Sequence, residues 1–255
     1  MTTIPQLAGI SYPGAGLPSL ANFVVPAFPN GAGTLVGLYS LANDVDLSTF
    51  NFASPGNPLL KSGAPAMGTL GATLSSSAYY DTQLPSTAGM TVIAVAKSPI
   101  NLSTGANQNN IINNFQNTSP VTGDTFGFAN SGSLGTFRAI GQYTGGVQSS
   151  TIVLTGADST KWNTFAGRIR PTGEVKAWWS ASGAVTTGVE TVPQTRGTPQ
   201  SRTLLLGKDY STQYPGAMAV LMVAVFNSAL ADSDVVANLA YLTSTYGPAL
   251  GITTL

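Results

Sequence analysis

The sequence lacks cysteine and histidine altogether. Without cysteine, no disulfide can link any two of its 255 residues, and thiol-based redox chemistry is excluded. Without histidine, the commonest general base and the commonest metal ligand are missing, together with the Ser-His and Cys-His nucleophile pairs. The usual machinery of many hydrolases and of transition-metal sites is therefore absent from this chain.

Charge is scarce and evenly balanced. Ten basic and ten acidic residues make up 8% of the chain, against roughly 25% in an average soluble protein. The sequence has no basic patch, so nucleic acid is not expected as a partner. The surface must be covered largely by Ser, Thr, Asn, Gln and Gly, a composition that suits outward-facing binding modules and particle subunits.

Long apolar runs are also missing, so insertion into a membrane is not expected. The run at 217–226 is too short for a membrane span. The first basic residue is Lys61, so the start of the chain lacks the charged region of a signal peptide. The sequence thus predicts synthesis in a cytoplasm without export.

A hydrophobic content of 43% is ample for one sizeable core.

The most informative stretch is 204–246. The apolar run at 217–226 follows a Pro-Gly breaker, which predicts a strand buried on both faces. Asp232 and Asp234 then place carboxylates where the first turn of a helix favours them. Four apolar residues recur at helical spacing after them: Val235, Leu239, Leu242 and Tyr246. Gly247-Pro248 predicts the end of this helix.

This stretch resembles the closing segment of laminin-G-like domains, which belong to the concanavalin A-like jelly-roll superfamily. Those domains end in a Leu-x-Ile-Gly strand, a loop, a Gly before a further strand, and Asn-x-x-Leu-x-Asp before a short helix. The matching positions here are Leu206-Gly207, Gly216, the strand ending at Phe226, Asn227, Leu230 and Asp232. Segments 35–41, 90–97 and 161–180 resemble further strands of that family, so the likeness covers roughly residues 33–246.

The resemblance implies an all-β fold, an antiparallel β-sandwich of the concanavalin A-like jelly-roll type with a short C-terminal helix. Residues 34–255 would form this single domain, with a loop at 53–76. Residues 1–33 carry five prolines and no charge, yet they include apolar side chains such as Phe23 and Phe28. Such a segment predicts an extended N-terminal arm that docks on its own sandwich or on a neighbouring subunit.

A hairpin near the middle of the chain provides the first candidate ligand site. Alternation along 175–180 places Trp178 on the face opposite Trp179. Basic residues flank Trp178: Arg168, Arg170 and Lys176. Tyr210 and Tyr214 offer a second patch. Aromatic faces suit the faces of sugars, so both patches predict a glycan platform. The alternative for Trp178 is that loops or the arm cover it, with arginines packed over the ring.

Catalysis and metal binding are not expected. Glycoside hydrolases of this superfamily carry paired carboxylates on one strand. The two glutamates of this chain, Glu174 and Glu190, instead lie in a turn and in a Thr/Val-rich segment. Calcium needs several oxygen ligands, and the candidate carboxylates form no ligand-dense loop: Asp44, Asp46, Asp81, Asp124 and Asp209. No metal or other cofactor is therefore predicted.

Two classes of function fit these features. The first is a non-enzymatic structural subunit of a virus particle, such as a bacteriophage tail, fibre, baseplate or decoration protein. It would reside in the virion, form a homo-oligomer, contact other virion proteins and bind host-surface glycans. The second class is a bacterial carbohydrate-binding or adhesion module, which normally carries an export signal. An unrecognised glycoside hydrolase is the third and most remote alternative.

Overall fold

The computed structural model describes residues 25–41, 49–98, 102, 105–131, 134–154, 160–181, 184–197, 201–211 and 213–252. Two antiparallel sheets face each other in this part of the chain. The first sheet contains β1 (Leu35–Ser40), β3 (Ala66–Met67), β4 (Ala72–Leu74), β6 (Met90–Lys97), β11 (Asn163–Ile169), β12 (Gly173–Ala181), β13 (Ala184–Val192) and β15 (Met218–Phe226). The second contains β2 (Leu60–Ser62), β5 (Tyr79–Pro85), β7 (Asn109–Asn113), β8 (Thr125–Ser131), β9 (Leu134–Tyr143), β10 (Gly146–Val153) and β14 (Thr203–Leu206).

Strand β15 lies at the centre of the first sheet, whose order is β13-β12-β11-β6-β15-β4-β3. It pairs with β6 along one edge, while its other edge pairs first with β4 and then with β1. The second sheet has the order β10-β9-β8-β7-β14-β5-β2. The prediction of an all-β antiparallel sandwich is therefore confirmed.

Alternating side chains of the first sheet enter two separate cores. On β15, Val223 and Val225 point between the sheets, whereas Ala224 and Phe226 point to the outer face. All nine residues of β15 are buried, so the predicted strand with two buried faces is confirmed. On β12, Trp179 belongs to the core between the sheets and Trp178 belongs to the outer core, as alternation predicts.

A helical layer covers the outer face of the first sheet. Helix α1 (Asp232–Tyr241) continues into a π-helical turn (Leu242–Tyr246) and a short helix α2 (Gly247–Ala249). The four apolar residues at helical spacing are all buried against the sheet. Burying such a side chain stabilises the fold by about 1.5–3 kcal/mol. The helical segment passes the predicted end at Gly247-Pro248 and ends at Ala249, because Gly247 keeps right-handed helical geometry and the next left-handed residue is Gly251.

The described part of the predicted arm, 25–33, lies on this helical layer of the same chain. The Phe28 ring packs edge-on against Phe226, with ring centroids 5.6 Å apart. The backbone N–H of Asn30 donates to Asn238 Oδ1 at 3.2 Å, and Asn238 Nδ2 donates back to the Asn30 carbonyl at 3.1 Å. These contacts close one end of the outer core. Residues 1–24 lie outside the described residues, and the role of the arm in assembly stays a prediction.

Four strands differ from the sequence predictions. The segment 53–76 contains β2, β3 and β4 rather than loop alone. These strands are only two or three residues long, which is too short for a periodic pattern to develop. Strand β13 has no counterpart among the predicted strands. The reason lies in its exposure, because most of its side chains face solvent and its sequence shows little apolar alternation.

Candidate functional site

The Trp178 platform predicted from the sequence is closed to solvent. The Trp178 side chain is 1% exposed, because α1 and the loop before it lie over the outer face of the sheet. The guanidinium of Arg168 and the Nζ of Lys176 each lie 5.0 Å from the centroid of its ring. A sugar cannot stack on a ring that is already covered. The alternative interpretation of Trp178 therefore holds, in which basic side chains pack over the indole.

The basic side chains around Trp178 are bound by carboxylates. Arg168 donates to Glu174, to Asp232 at 2.6 Å and to the Leu230 carbonyl at 2.6 Å. Lys176 also pairs with Asp232. Burial lowers the pKa of the Arg168 guanidinium below its ordinary value, and the hydrogen bond to Asp232 acts in the opposite direction. These contacts fasten the beginning of α1 to β11 and β12.

The remaining predicted site residues lie in different surroundings. The side chain of Arg170 is exposed and pairs with Glu174 at 3.0 Å. Tyr214 is buried, and its hydroxyl accepts a hydrogen bond from Arg138 Nη2 at 2.9 Å. Tyr210 is 37% exposed and lies on the loop between β14 and β15. Among the six predicted residues, Tyr210 is thus the aromatic side chain that a ligand in solution can reach.

Tyr210 borders an open pocket of about 350 Å³. The other lining residues come from β5, from β14 and from the same loop: Tyr79, Leu205, Lys208, Asp209 and Ser211. Lys208 Nζ lies 4.5 Å from the centroid of the Tyr79 ring. The pocket therefore combines two tyrosine rings with an ammonium group and a hydroxyl. Sequence reasoning missed Tyr79 and Lys208 here, because strand β5 and the loop are brought together only by the sheet.

The backbone of the loop is fixed at three points. Gly207 has a φ of +85°, and a Cβ at this position would lie 2.4 Å from Leu74 Cβ. The Lys208 carbonyl accepts a hydrogen bond from Asn113 Nδ2 at 2.7 Å. The Tyr210 N–H donates to the Phe115 carbonyl at 2.9 Å. The loop thus enters the pocket in a defined conformation.

The Tyr210 side chain is held at its hydroxyl and at its ring. Its hydroxyl donates to the Thr203 carbonyl at 3.1 Å. The Arg202 guanidinium lies 5.5 Å from the ring centroid and donates to Asn114, Gln116 and Thr122. Burial raises the pKa of the Tyr210 hydroxyl above its ordinary value, so the phenol is neutral near pH 7. Little conformational freedom remains to be lost when a ligand contacts this ring.

Asp209 forms the buried wall of the pocket. Its Oδ2 accepts a hydrogen bond from Ser211 Oγ at 2.8 Å, whereas its buried Oδ1 has no partner of normal hydrogen-bond geometry. Burial raises the pKa of this carboxyl, and the hydrogen bonds from Ser211 oppose that effect. The Ser211 hydroxyl therefore donates its hydrogen bond to Asp209, and its oxygen can accept a hydrogen bond from a ligand.

The described residues contain no cluster of three or more metal-ligating side chains. Of the calcium candidates, Asp124 is paired with Arg196, and Asp81 Oδ1 accepts the Gln83 N–H at 2.8 Å. Asp44 and Asp46 lie outside the described residues. Over the described ranges, no helix is both long and apolar enough to cross a membrane.

The sequence matches no protein-family model and no curated protein. Solved structures share its fold. The ligand binding domain of botulinum neurotoxin serotype D, in complex with N-acetylneuraminic acid, has a TM-score of 0.60 at 13% identity and covers 84% of this chain and 52% of that chain. The binding domain of botulinum neurotoxin DC, in complex with SialylT, has a TM-score of 0.59 at 14% identity, with coverages of 84% and 52%.

The receptor binding domain of botulinum neurotoxin D gives a TM-score of 0.57 at 13% identity, covering 81% of this chain and 52% of that one. This chain therefore spans about half the length of the neurotoxin domains that it resembles. At such low identity the likeness concerns the fold, a β-sandwich. The sugars named with two of these structures are ligands of those proteins.

Proposed function

We propose that this protein is a non-enzymatic glycan-binding β-sandwich and that the Tyr210 pocket is its binding site. The exposed, firmly held ring of Tyr210 carries the proposal. Sugars combine apolar faces, which stack on aromatic rings, with hydroxyl groups that need fixed polar partners. Lys208 donates such hydrogen bonds, and Ser211 accepts them through the oxygen oriented by Asp209.

The structural neighbours support the class of ligand. Two of them were solved with N-acetylneuraminic acid or SialylT. These complexes support a glycan as the class of ligand. Because this chain corresponds to only about half of each neighbour, the position of the binding site is argued from the Tyr210 pocket of this chain alone.

The finer part of the proposal is that the chain is a laminin-G-like subunit of a virus particle, with other virion proteins and host glycans as partners. Its support is the composition: 8% charge, no cysteine, and the uncharged, proline-containing segment 1–33. Mass spectrometry of particles purified from infected cells should detect the chain in fixed stoichiometry with the other structural proteins. Its absence from such particles would refute the virion location and leave the glycan-binding proposal standing.

A glycan array followed by titration tests the binding site. The unaltered chain is expected to bind at least one glycan, and Tyr210→Ala is expected to weaken that binding by about tenfold or more. Val236→Ala is the control, because Val236 is an exposed side chain on α1 at a different part of the surface. It should bind as the unaltered chain does.

Both variants should stay folded, and Tyr210→Ala should unfold at a somewhat lower temperature because it loses the contacts to Thr203 and Arg202. Equal binding by Tyr210→Ala would place the site elsewhere. An unaltered chain that binds no glycan on a broad array would overturn the function itself.

A further inference from the structure

Strand β13 ends the first sheet and offers a long free edge. Its nine residues pair with β12 from Gly173↔Val192 to Ala181↔Ala184 without a register shift. Within the described ranges, no strand pairs with its other edge. The unpaired N–H and C=O groups along that edge form a template for one more strand.

The edge has only one of the features that usually protect such strands, the charge of Glu190 on its inner face. Natural edges are shortened, bulged, or carry lysine and proline. Strand β13 is regular, contains neither lysine nor proline, and has Glu190 as its single charged residue. On its outer face, Val185 and Val189 are exposed, Val189 by 53%. Such an edge promotes association, because its unpaired backbone groups can pair with another strand.

A second edge, which carries no charge, lies beside the first. Strand β10 is the terminal strand of the second sheet and contains no charged residue. At Gly188 the two strands approach so closely that an added Cβ would lie 2.6 Å from the Thr151 carbonyl oxygen. The exposed Val153 extends the apolar surface from β10. Glu190 is thus the one charged residue on the two strand edges that form this side of the sandwich.

We propose that β13 pairs antiparallel with β13 of a second copy of this chain, which joins the two first sheets into one continuous sheet. A two-fold axis relates the two copies, so the same surface is used twice. The register that uses the whole strand is centred on Gly188, with Thr187 opposite Val189 of the partner subunit. This inference concerns assembly and holds whether or not the Tyr210 pocket binds a glycan.

Charge favours a second copy over a different protein as the occupant. In the centred register, Glu190 lies opposite Thr186 of the partner subunit, and the two Glu190 side chains are about 13 Å apart along the strands. No like charges face each other directly, which would be destabilising. The outer face then brings valine and threonine into cross-strand pairs, which β-sheets favour. A charged partner would find only Glu190 to pair with.

Two double variants of the full chain test the pairing. In the proposed register, Thr187→Glu/Val189→Glu places carboxylates opposite each other twice, whereas Thr187→Lys/Val189→Glu forms two cross-strand ion pairs. Both variants carry Glu at 189, next to Lys176 of β12 on the same face, so this local effect is matched. Circular dichroism and thermal unfolding verify that both variants keep the fold.

The readout is the molar mass by size exclusion with light scattering over a dilution series. The unaltered chain and the Lys/Glu variant are expected to be dimers, and the Glu/Glu variant a monomer. A Glu/Glu variant that stays dimeric would overturn the proposal, since the interface then lies elsewhere. An unaltered chain that is monomeric at every concentration would also overturn it, because another segment or a different partner would then cover the edge.

Because the chain has no cysteine, disulfide trapping gives an independent measure of the register. Chains with Thr187→Cys and chains with Val189→Cys are mixed and mildly oxidised. The expected product is a dimer that contains one chain of each kind. Crosslinking that is equally strong within each separate sample would refute the register centred on Gly188.

Discussion

A buried ion pair joins Arg196, in the loop after β13, to Asp124, just before β8. Their side chains are 5% and 2% exposed. Arg196 Nη1 donates to Asp124 Oδ1 at 2.6 Å and to the Gln142 carbonyl at 2.8 Å, and Nη2 donates to Oδ2. Asp124 Oδ1 also accepts the Gln142 N–H at 3.0 Å. The Arg196 guanidinium therefore links the loop after β13 to the segment before β8 and to the backbone of β9.

We expect Arg196→Met to destabilise the protein by about 3–5 kcal/mol, because it leaves the Asp124 carboxylate buried without its cation. For a chain of this length, the midpoint of thermal unfolding should fall by on the order of 10 °C. Asp124→Leu/Arg196→Met removes both charges and should be less destabilised than Arg196→Met alone, since no unpaired charge stays buried.

Urea unfolding followed by tryptophan fluorescence measures these free energies by linear extrapolation. The matched control is Arg170→Met, which makes the same substitution in an ion pair whose arginine is 44% exposed. Exposed pairs contribute only about 0–1 kcal/mol. Equal losses for Arg196→Met and Arg170→Met would refute the argument from burial. A double variant less stable than Arg196→Met would refute the argument from an unpaired charge.

Two further predictions concern backbone geometry and alkaline pH. Gly207→Ala puts a Cβ on a left-handed residue and against Leu74. It should therefore lower the free energy of unfolding by more than Gly145→Ala, where nothing lies within 4 Å and only the backbone strain of roughly 1–2 kcal/mol applies. Equal shifts in melting temperature for the two variants would contradict this. Burial raises the pKa of Tyr143 from 10.0 to about 12, with Arg196 opposing. Because the folded state holds this proton more tightly, the contribution to stability is complete below pH 10.0 and is lost as pH rises through about 12. Tyr143→Phe should make the alkaline decline in unfolding free energy shallower, and an unchanged slope would contradict the assignment.

The elements found from the sequence are those with strong local patterns. The apolar run at 217–226 and the helical spacing from Val235 to Tyr246 each follow directly from which faces are buried. Alternation also placed Trp178 and Trp179 on opposite faces. It could not show that α1 covers the face of Trp178, because that contact joins β12 to a helix about fifty residues later in the chain.

The candidate pocket depends on similarly distant contacts. Tyr79 and Tyr210 approach each other because β5 and β14 are neighbours in the second sheet, which no local pattern reveals. Strand β13 was missed for a related reason, since an exposed edge strand has little need for apolar alternation. Its sequence, with Gly188 between threonine and valine, therefore predicts no strand, even though its pairing with β12 is regular.

The central position of β15 determines when this protein can fold during synthesis. Its partners β1, β4 and β6 are all made well before residue 218, yet none of them can complete the middle of the sheet without it. A nascent chain that ends before residue 226 therefore leaves both cores open and exposes apolar strands. Such long-range pairing slows folding and favours aggregation of incomplete chains. Chaperone binding to nascent chains should accordingly persist until β15 has left the ribosome.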